Sequence, residues 1–212
     1  GLPAGLQSVL YSLSNVIIQA SVNGFGTDTV AAWTAYGKLD GLFWMTVSAF
    51  GVAITTFVGQ NFGARRFDRM KRSVWVCLGM AVIATVILSG VLLTCGEFLY
   101  RAFADDENVI RLGMDILRLL VPFYGTYLCI EILSGAVRGT GDSLVPTLMT
   151  LFGVCLMRVV WLWGVAPRFG ALDMVLICYP ITWTLTSALF LIYYLRGRWL
   201  KRSMRKFGMD DA

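Results

Sequence analysis

Met80-Ala81-Val82-Ile83-Ala84-Thr85-Val86-Ile87-Leu88-Ser89-Gly90-Val91-Leu92-Leu93 contains no charged residue and no alternation of apolar and polar positions. A strand in a membrane barrel alternates over about ten residues, because its side chains face lipid and lumen in turn. This run does not alternate. Lipid satisfies no backbone polar group, so a span that is not part of a barrel must close its hydrogen bonds within itself, as a helix. Flanking residues extend the apolar stretch to 73–94, and roughly 20 residues at about 1.5 Å each cross the hydrocarbon core. Comparable runs recur from one end of the chain to the other. Of the 212 residues 57% are hydrophobic and 15% charged, with a mean hydropathy of +0.70. A soluble domain is nearer 45–50% apolar and about 25% charged. The reading is an all-α integral membrane protein, with little chain left for a water-soluble core.

Six transmembrane helices are expected, at 2–22, 29–59, 73–94, 106–137, 143–164 and 170–195, the fourth with an amphipathic outer start. A basic tail, 196–212, follows, and 1–212 reads as a single membrane lobe. Pro122 and Pro180 are expected to kink their spans, and Pro146 is tolerated in a first turn. Residues 60–72 carry five Arg/Lys, Arg138 lies in the fourth connection, and 196–206 carry six more. Those segments fall on one side and hold 12 of the 18 basic residues. Positive-inside logic places that side, and both chain ends, in the cytoplasm. Arg65, Arg66, Arg69 and Arg72 on one helical face, with Phe67, Met70 and Val74 on another, also read as an interfacial amphipathic pattern attracted to anionic headgroups; a topology signal alone is the plainer reading. The chain opens Gly1-Leu2-Pro3-Ala4, without Met or a basic leader, which reads as a cut inside a longer chain.

Histidine is absent, and the five cysteines are scattered one to a segment. Histidine-based metal or nucleophile chemistry is therefore excluded, and the cysteines read as small apolar helix residues. Neither His-Glu-x-x-His nor Gly-x-Ser-x-Gly occurs, so the chain does not read as an enzyme. It shows no cofactor signature and no nucleic-acid partner.

Ionisable groups inside a membrane are functional candidates by default. Glu131 lies seven residues before Arg138, hence about 10 Å in from the basic end of its span. It reads either as a site that binds a cation or carries a proton, or as a glutamate hydrogen-bonded to a neighbouring helix. Span one has a polar stripe of Gln7, Tyr11, Asn15 and Gln19 at four-residue steps. The stripe reads either as a cavity lining or as helix–helix glue. Arg158, Asp40 and Lys38 lie nearer the outer level and read as gating or structural charges, with Arg158 expected to pair with Asp40 or to snorkel outward. Tryptophans near span ends read most simply as interface anchors, with an aromatic surface for organic cations the alternative and nothing to say which of them would form it; Gly135-x-x-x-Gly139 reads as a close helix contact.

Three motifs occur in order on this frame. Span two ends Thr55-Thr56-Phe57-Val58-Gly59-Gln60-Asn61-Phe62-Gly63-Ala64, followed by Arg69. Span one opens Gly1-Leu2-Pro3-Ala4 and ends Ser21-Val22-Asn23-Gly24-Phe25-Gly26, with Ala31-Ala32 beyond. Span four closes Arg138-Gly139-Thr140-Gly141-Asp142, followed by Pro146. Together they resemble the C-terminal six-helix half, spans seven to twelve, of a bacterial multidrug and toxic compound extrusion (MATE) transporter. The resemblance implies two pseudo-symmetric six-helix lobes in the bacterial inner membrane. It implies export of cationic or amphipathic compounds against inward protons or sodium, with the N-terminal lobe, membrane lipids and small organic cations as partners. Some members carry acids at the positions matching Tyr127 and Tyr11, and both are tyrosines here. Tyr127 and Glu131 stand i and i+4 on one face, so Glu131 could serve the same cavity, and any sodium would bind near it. A lipid or lipid-linked oligosaccharide flippase of the same superfamily is the alternative within transport, and a non-transporting membrane scaffold the alternative outside it. Arg158 as the sole arginine well inside a span speaks against the flippase, which would hold pyrophosphate on several cations.

Overall fold

The structure is a computed structural model and describes residues 2–209, without the side chains of residues 2–4, 6 and 7. The chain runs through α1 (Leu2–Asn23), α2 (Thr27–Gly63), α3 (Phe67–Arg101), α4 (Glu107–Leu120) and α5 (Tyr124–Gly139). It continues through α6 (Leu144–Thr150), α7 (Met157–Gly164), α8 (Leu172–Leu176), α9 (Cys178–Leu195) and α10 (Arg198–Lys206). Several of these join into single spans. A 3-10 turn at Val121–Phe123 links α4 to α5, and a π-helical stretch at Leu151–Leu156 links α6 to α7. Among the described residues five stretches are long and apolar enough to cross a membrane: Thr27–Gly63, Phe67–Arg101, Glu107–Gly139, Leu144–Arg168 and Leu172–Leu195. α1 is 22 residues long and carries no charge, but its polar stripe leaves it less apolar than those five. The chain is a multi-pass membrane protein.

Sequence chemistry explains the breaks. Pro122 lacks an amide hydrogen and opens the ladder into the turn at Val121–Phe123. At Pro180 the interruption falls earlier than a kink centred on the proline. The helix breaks at Ile177, and Pro180 sits in the first turn of α9, because its ring excludes the carbonyl of residue i−4. Asp106 caps α4, its carboxylate accepting the Asn108 amide at 2.7 Å. Gly141 (φ +84°) and Gly197 (φ +65°) turn the chain after α5 and before α10, in a conformation that disfavours any Cβ.

α2 is the centre of the bundle. It packs against α3, α4 and α5, while α5 also packs on α9 and α3. α2 and α5 approach closely because glycines face them. A Cβ on Gly135 would lie 2.9 Å from Ile54 and Thr55, and one on Gly139 would lie 2.6 Å from the Thr55 carbonyl oxygen. Thr55 Oγ1 uses that proximity, approaching the carbonyls of Gly51 at 2.7 Å and Gly135 at 3.1 Å. The Ser187 hydroxyl of α9 donates to the Thr126 carbonyl of α5. α1 rests on α2 and on the α6–α7 span, and closes one side of an internal cavity.

One expectation from the sequence is corrected here. Arg65 and Arg66 precede α3 in a tight turn, with Arg65 at φ +57°. Met70 and Val74 are fully buried, because the α2–α3 turn folds this face of α3 onto the core. The expected interfacial face of Phe67, Met70 and Val74 is therefore an interior face.

Candidate functional site

Four spans enclose a cavity of about 430 Å³. α1 contributes Tyr11, Asn15 and Gln19. α2 contributes Trp33, Tyr36, Gly37, Asp40 and Trp44. Arg158 comes from α7, and Tyr179 and Trp183 from α9. The polar stripe of α1 thus faces inward, while Val9, Leu13 and Val16 on its other side are exposed. The side chain of Gln7, the first member of the stripe, lies outside the described residues.

Asp40 is the hub of the α2 wall. Tyr124 donates to its Oδ1 at 2.6 Å, Tyr36 to the same oxygen at 3.2 Å, and the Trp44 indole to Oδ2 at 2.6 Å. The Tyr36 and Tyr124 hydroxyls are themselves 3.1 Å apart. Aromatic rings continue around the carboxylate. Trp33 stacks on Tyr36, Trp183 meets Trp44 and Tyr127 edge-on, and Tyr179 meets Trp183. Trp33, Trp44 and Trp183 are therefore cavity walls rather than interface anchors.

Arg158 forms no ion pair among the described residues, so the expected pairing with Asp40 is not made. It is almost fully buried, at 1% exposure. Its guanidinium lies 4.2 Å from the centre of the Tyr179 ring, and one nitrogen reaches Asn15 Oδ1 at 3.4 Å. Asp40 already holds three donors from its own side, and the aromatic ring takes the guanidinium instead. Lys38, two residues from Asp40, points away from the cavity. It is exposed, 4.9 Å from the Phe103 ring.

Glu131 stands apart from this wall. Its carboxyl group packs against the bare backbone of Gly51, where any Cβ would collide with it. The Tyr127 hydroxyl is within reach of Glu131 on one side and Tyr11 on the other. The Tyr11 hydroxyl approaches Tyr127 without a well-formed hydrogen bond, and it is buried. The structure thus brings Tyr11, Tyr127 and Glu131 into one file leading from the cavity. Further buried hydroxyls without hydrogen-bond partners among the described residues, those of Ser14, Thr150 and Thr186, lie on α1, α6 and α9. Buried polar groups are normally satisfied by protein or by water. No cluster of three His, Cys, Asp or Glu side chains occurs among the described residues.

The sequence reading allowed an aromatic surface for cations but named none of the residues of the cage. Tyr36, Asp40 and Trp44 recur at four-residue steps and could have been seen on one face of α2. Tyr124, Tyr179 and Trp183 come from elsewhere in the chain, and nothing local marks them.

The MatE family model matches residues 3–163. The chain belongs to the MatE family. This is a family of transporters and not of enzymes. "Probable multidrug resistance protein YoeA" of Bacillus subtilis is 24% identical over 165 residues, covering 78% of this chain and 34% of that protein. "Probable multidrug resistance protein YpnP" of the same organism is 23% identical over 216 residues, covering 98% and 46%. A probable multidrug resistance protein NorM of Aromatoleum aromaticum is 28% identical over 171 residues, covering 80% and 35%. The chain therefore spans less than half the length of these curated relatives. Among solved structures, a MATE in complex with MaD3S superposes with a TM-score of 0.85 at 17% identity, covering 93% of this chain and 44% of that one. A MOP superfamily transporter from Pyrococcus furiosus superposes at 0.81 with 18% identity, covering 94% and 43%. At these identities the likeness is one of fold, and the MatE helical fold is shared.

Proposed function

We propose that this MatE chain is the C-terminal lobe, spans seven to twelve, of an ion-coupled multidrug antiporter in the bacterial inner membrane. Both ends of the lobe would be cytoplasmic, and an N-terminal lobe would complete the pathway. The observation that carries this reading is the file Tyr11–Tyr127–Glu131 opening from an aromatic cavity that holds Asp40. An aromatic wall with a carboxylate attracts organic cations through cation–π and charge terms together. Glu131, with no basic partner within 4 Å among the described residues, can exchange a proton or a sodium ion through the two tyrosines. The unpaired hydroxyls of Ser14, Thr150 and Thr186 would hold the water that such exchange needs. Asn15 and Gln19 would offer hydrogen bonds to polar parts of a substrate, as would Gln7. Asp40 and Arg158 would set the charge pattern of the cavity, with Lys38 a structural charge at its outer edge. The relatives, which are probable multidrug resistance proteins, agree with this reading. No prosthetic group is required.

The test is efflux of a fluorescent organic cation from pump-deficient cells expressing the complete polypeptide, under an imposed proton or sodium gradient. Glu131→Gln is expected to abolish gradient-driven efflux at unchanged membrane expression, and Tyr127→Phe to slow it. Full efflux from Glu131→Gln would remove the coupling role from this lobe. An intact protein that moves no cation under either gradient would leave a lipid substrate as the reading to pursue.

A further inference from the structure

At the opposite end of the molecule from Asp40, α10 folds back against α9. Trp199 stacks on Tyr194 with ring centres 5.0 Å apart, and its indole donates to the Tyr194 carbonyl at 3.0 Å. Trp75 of α3 meets Tyr194 edge-on at 5.9 Å. Between these elements lies a groove of about 1110 Å³. Its rim carries five cations, Lys71, Arg198, Lys201, Arg202 and Arg205, and no carboxylate lines it among the described residues. Only Arg202 has an acidic partner among the described residues, Asp142 at 3.6 Å. A general inward bias of positive charge would place basic residues at this end. It would not gather them around an aromatic floor.

Two further observations separate the groove from a solvated basic surface. Tyr194 is 7% exposed, lines the groove, and its hydroxyl has no hydrogen-bond partner among the described residues. A buried donor of this kind is costly unless something accepts from it. The helices that carry the floor also present bare apolar faces: Val76, Met80 and Ile83 on α3, and Leu189, Ile192 and Leu195 on α9 are all exposed. The bilayer that covers those faces brings acyl chains beside the cations. A lipid would use both, with its phosphate at the groove and its acyl chains along the helices.

We propose that the groove between α3, α9 and α10 binds the phosphate headgroup of an anionic phospholipid, with Tyr194 donating to a phosphate oxygen. The test is native mass spectrometry of the complete polypeptide released from detergent, titrated with phosphatidylglycerol and, separately, with phosphatidylcholine. Phosphatidylglycerol is expected to be retained in preference. Lys71→Gln/Arg198→Gln/Lys201→Gln is expected to weaken its retention by roughly 10-fold or more. Arg65→Gln/Arg66→Gln/Arg69→Gln removes the same charge outside the groove and is expected to leave retention nearly unchanged. Tyr194→Phe alters no charge and keeps the ring stack, so a reduced retention in that variant would report the hydroxyl itself. Equal loss in both triple variants, unchanged retention in Tyr194→Phe, equal binding of phosphatidylcholine, or full competition by glycerol phosphate would each overturn the proposal.

Discussion

Asp40 sits within the bundle on three donors from two helices, and the geometry ranks them. Tyr124 reaches it at 2.6 Å and Tyr36 at 3.2 Å, so the first bond contributes more. Removing a hydrogen bond to a charged group costs about 1.5–3 kcal/mol. Tyr124→Phe is therefore expected to lower the thermal unfolding midpoint in detergent more than Tyr36→Phe does. Asp40→Asn should cost at least as much, since an amide nitrogen would then face a donor that its parent oxygen accepted. If Tyr36→Phe proved the more damaging, the ranking would be wrong. At this scale the sequence was informative about residue type and depth but not about partners. Glu131, Asp40 and Arg158 stood out as charges in apolar runs. That Arg158 lies on Tyr179 and Asn15 depends on contacts 21 and 143 residues away in sequence, and an intramembrane charge does not reveal its partner in one dimension.

Helix contacts are set by what is missing at Gly135 and Gly139. Gly139→Ala would push a methyl group to within 2.6 Å of the Thr55 carbonyl, and overpacking of this kind typically costs about 1–3 kcal/mol. Gly125 lies in the same helix with nothing within 4 Å of an added Cβ. There an alanine gains helix propensity and is expected to be neutral or stabilising by up to about 1 kcal/mol. Comparing the two midpoints checks whether α2–α5 contact, rather than glycine content, holds the bundle. The Gly-x-x-x-Gly spacing made this contact legible in the sequence. Pro122 and Pro180 marked the interruptions, although the second break falls three residues before its proline. The π-helical stretch at Leu151–Leu156 had no such marker, and its one glycine, Gly153, packs against Thr186.

The charge distribution of the whole molecule makes an orientation testable. Lys71, Arg138 and α10 share one end, and the acidic Asp105-Asp106-Glu107 cluster occupies the loop into α4 at the other. In a cysteine-free background, Asp105→Cys is expected to react with a membrane-impermeant maleimide in intact cells. Phe207→Cys, exposed beside α10, is expected to react only after permeabilisation. The reverse pattern would invert the proposed orientation. The composition and the spacing of apolar runs made the bundle legible because a bilayer imposes length on every span. The cavity was only half legible, since α1 displayed its polar stripe along one helix while the facing aromatic wall is assembled from α2, α5 and α9.

The ladder of the α6–α7 span widens over Leu151–Leu156, which amounts to one residue more than a regular α-helix would use. Each residue of an α-helix advances the side-chain direction by about 100°. The widening absorbs that extra residue and keeps the flanks in phase, so that Arg158 points into the cavity while Thr147 and Thr150 keep their own buried positions. Tightening the stretch to α without shortening it would swing α7 about its axis and carry Arg158 off Tyr179. Deleting one outward residue, such as the exposed Phe152, would remove the widening and leave both flanks in phase. The shortened helix is expected to fold and keep Arg158 in place.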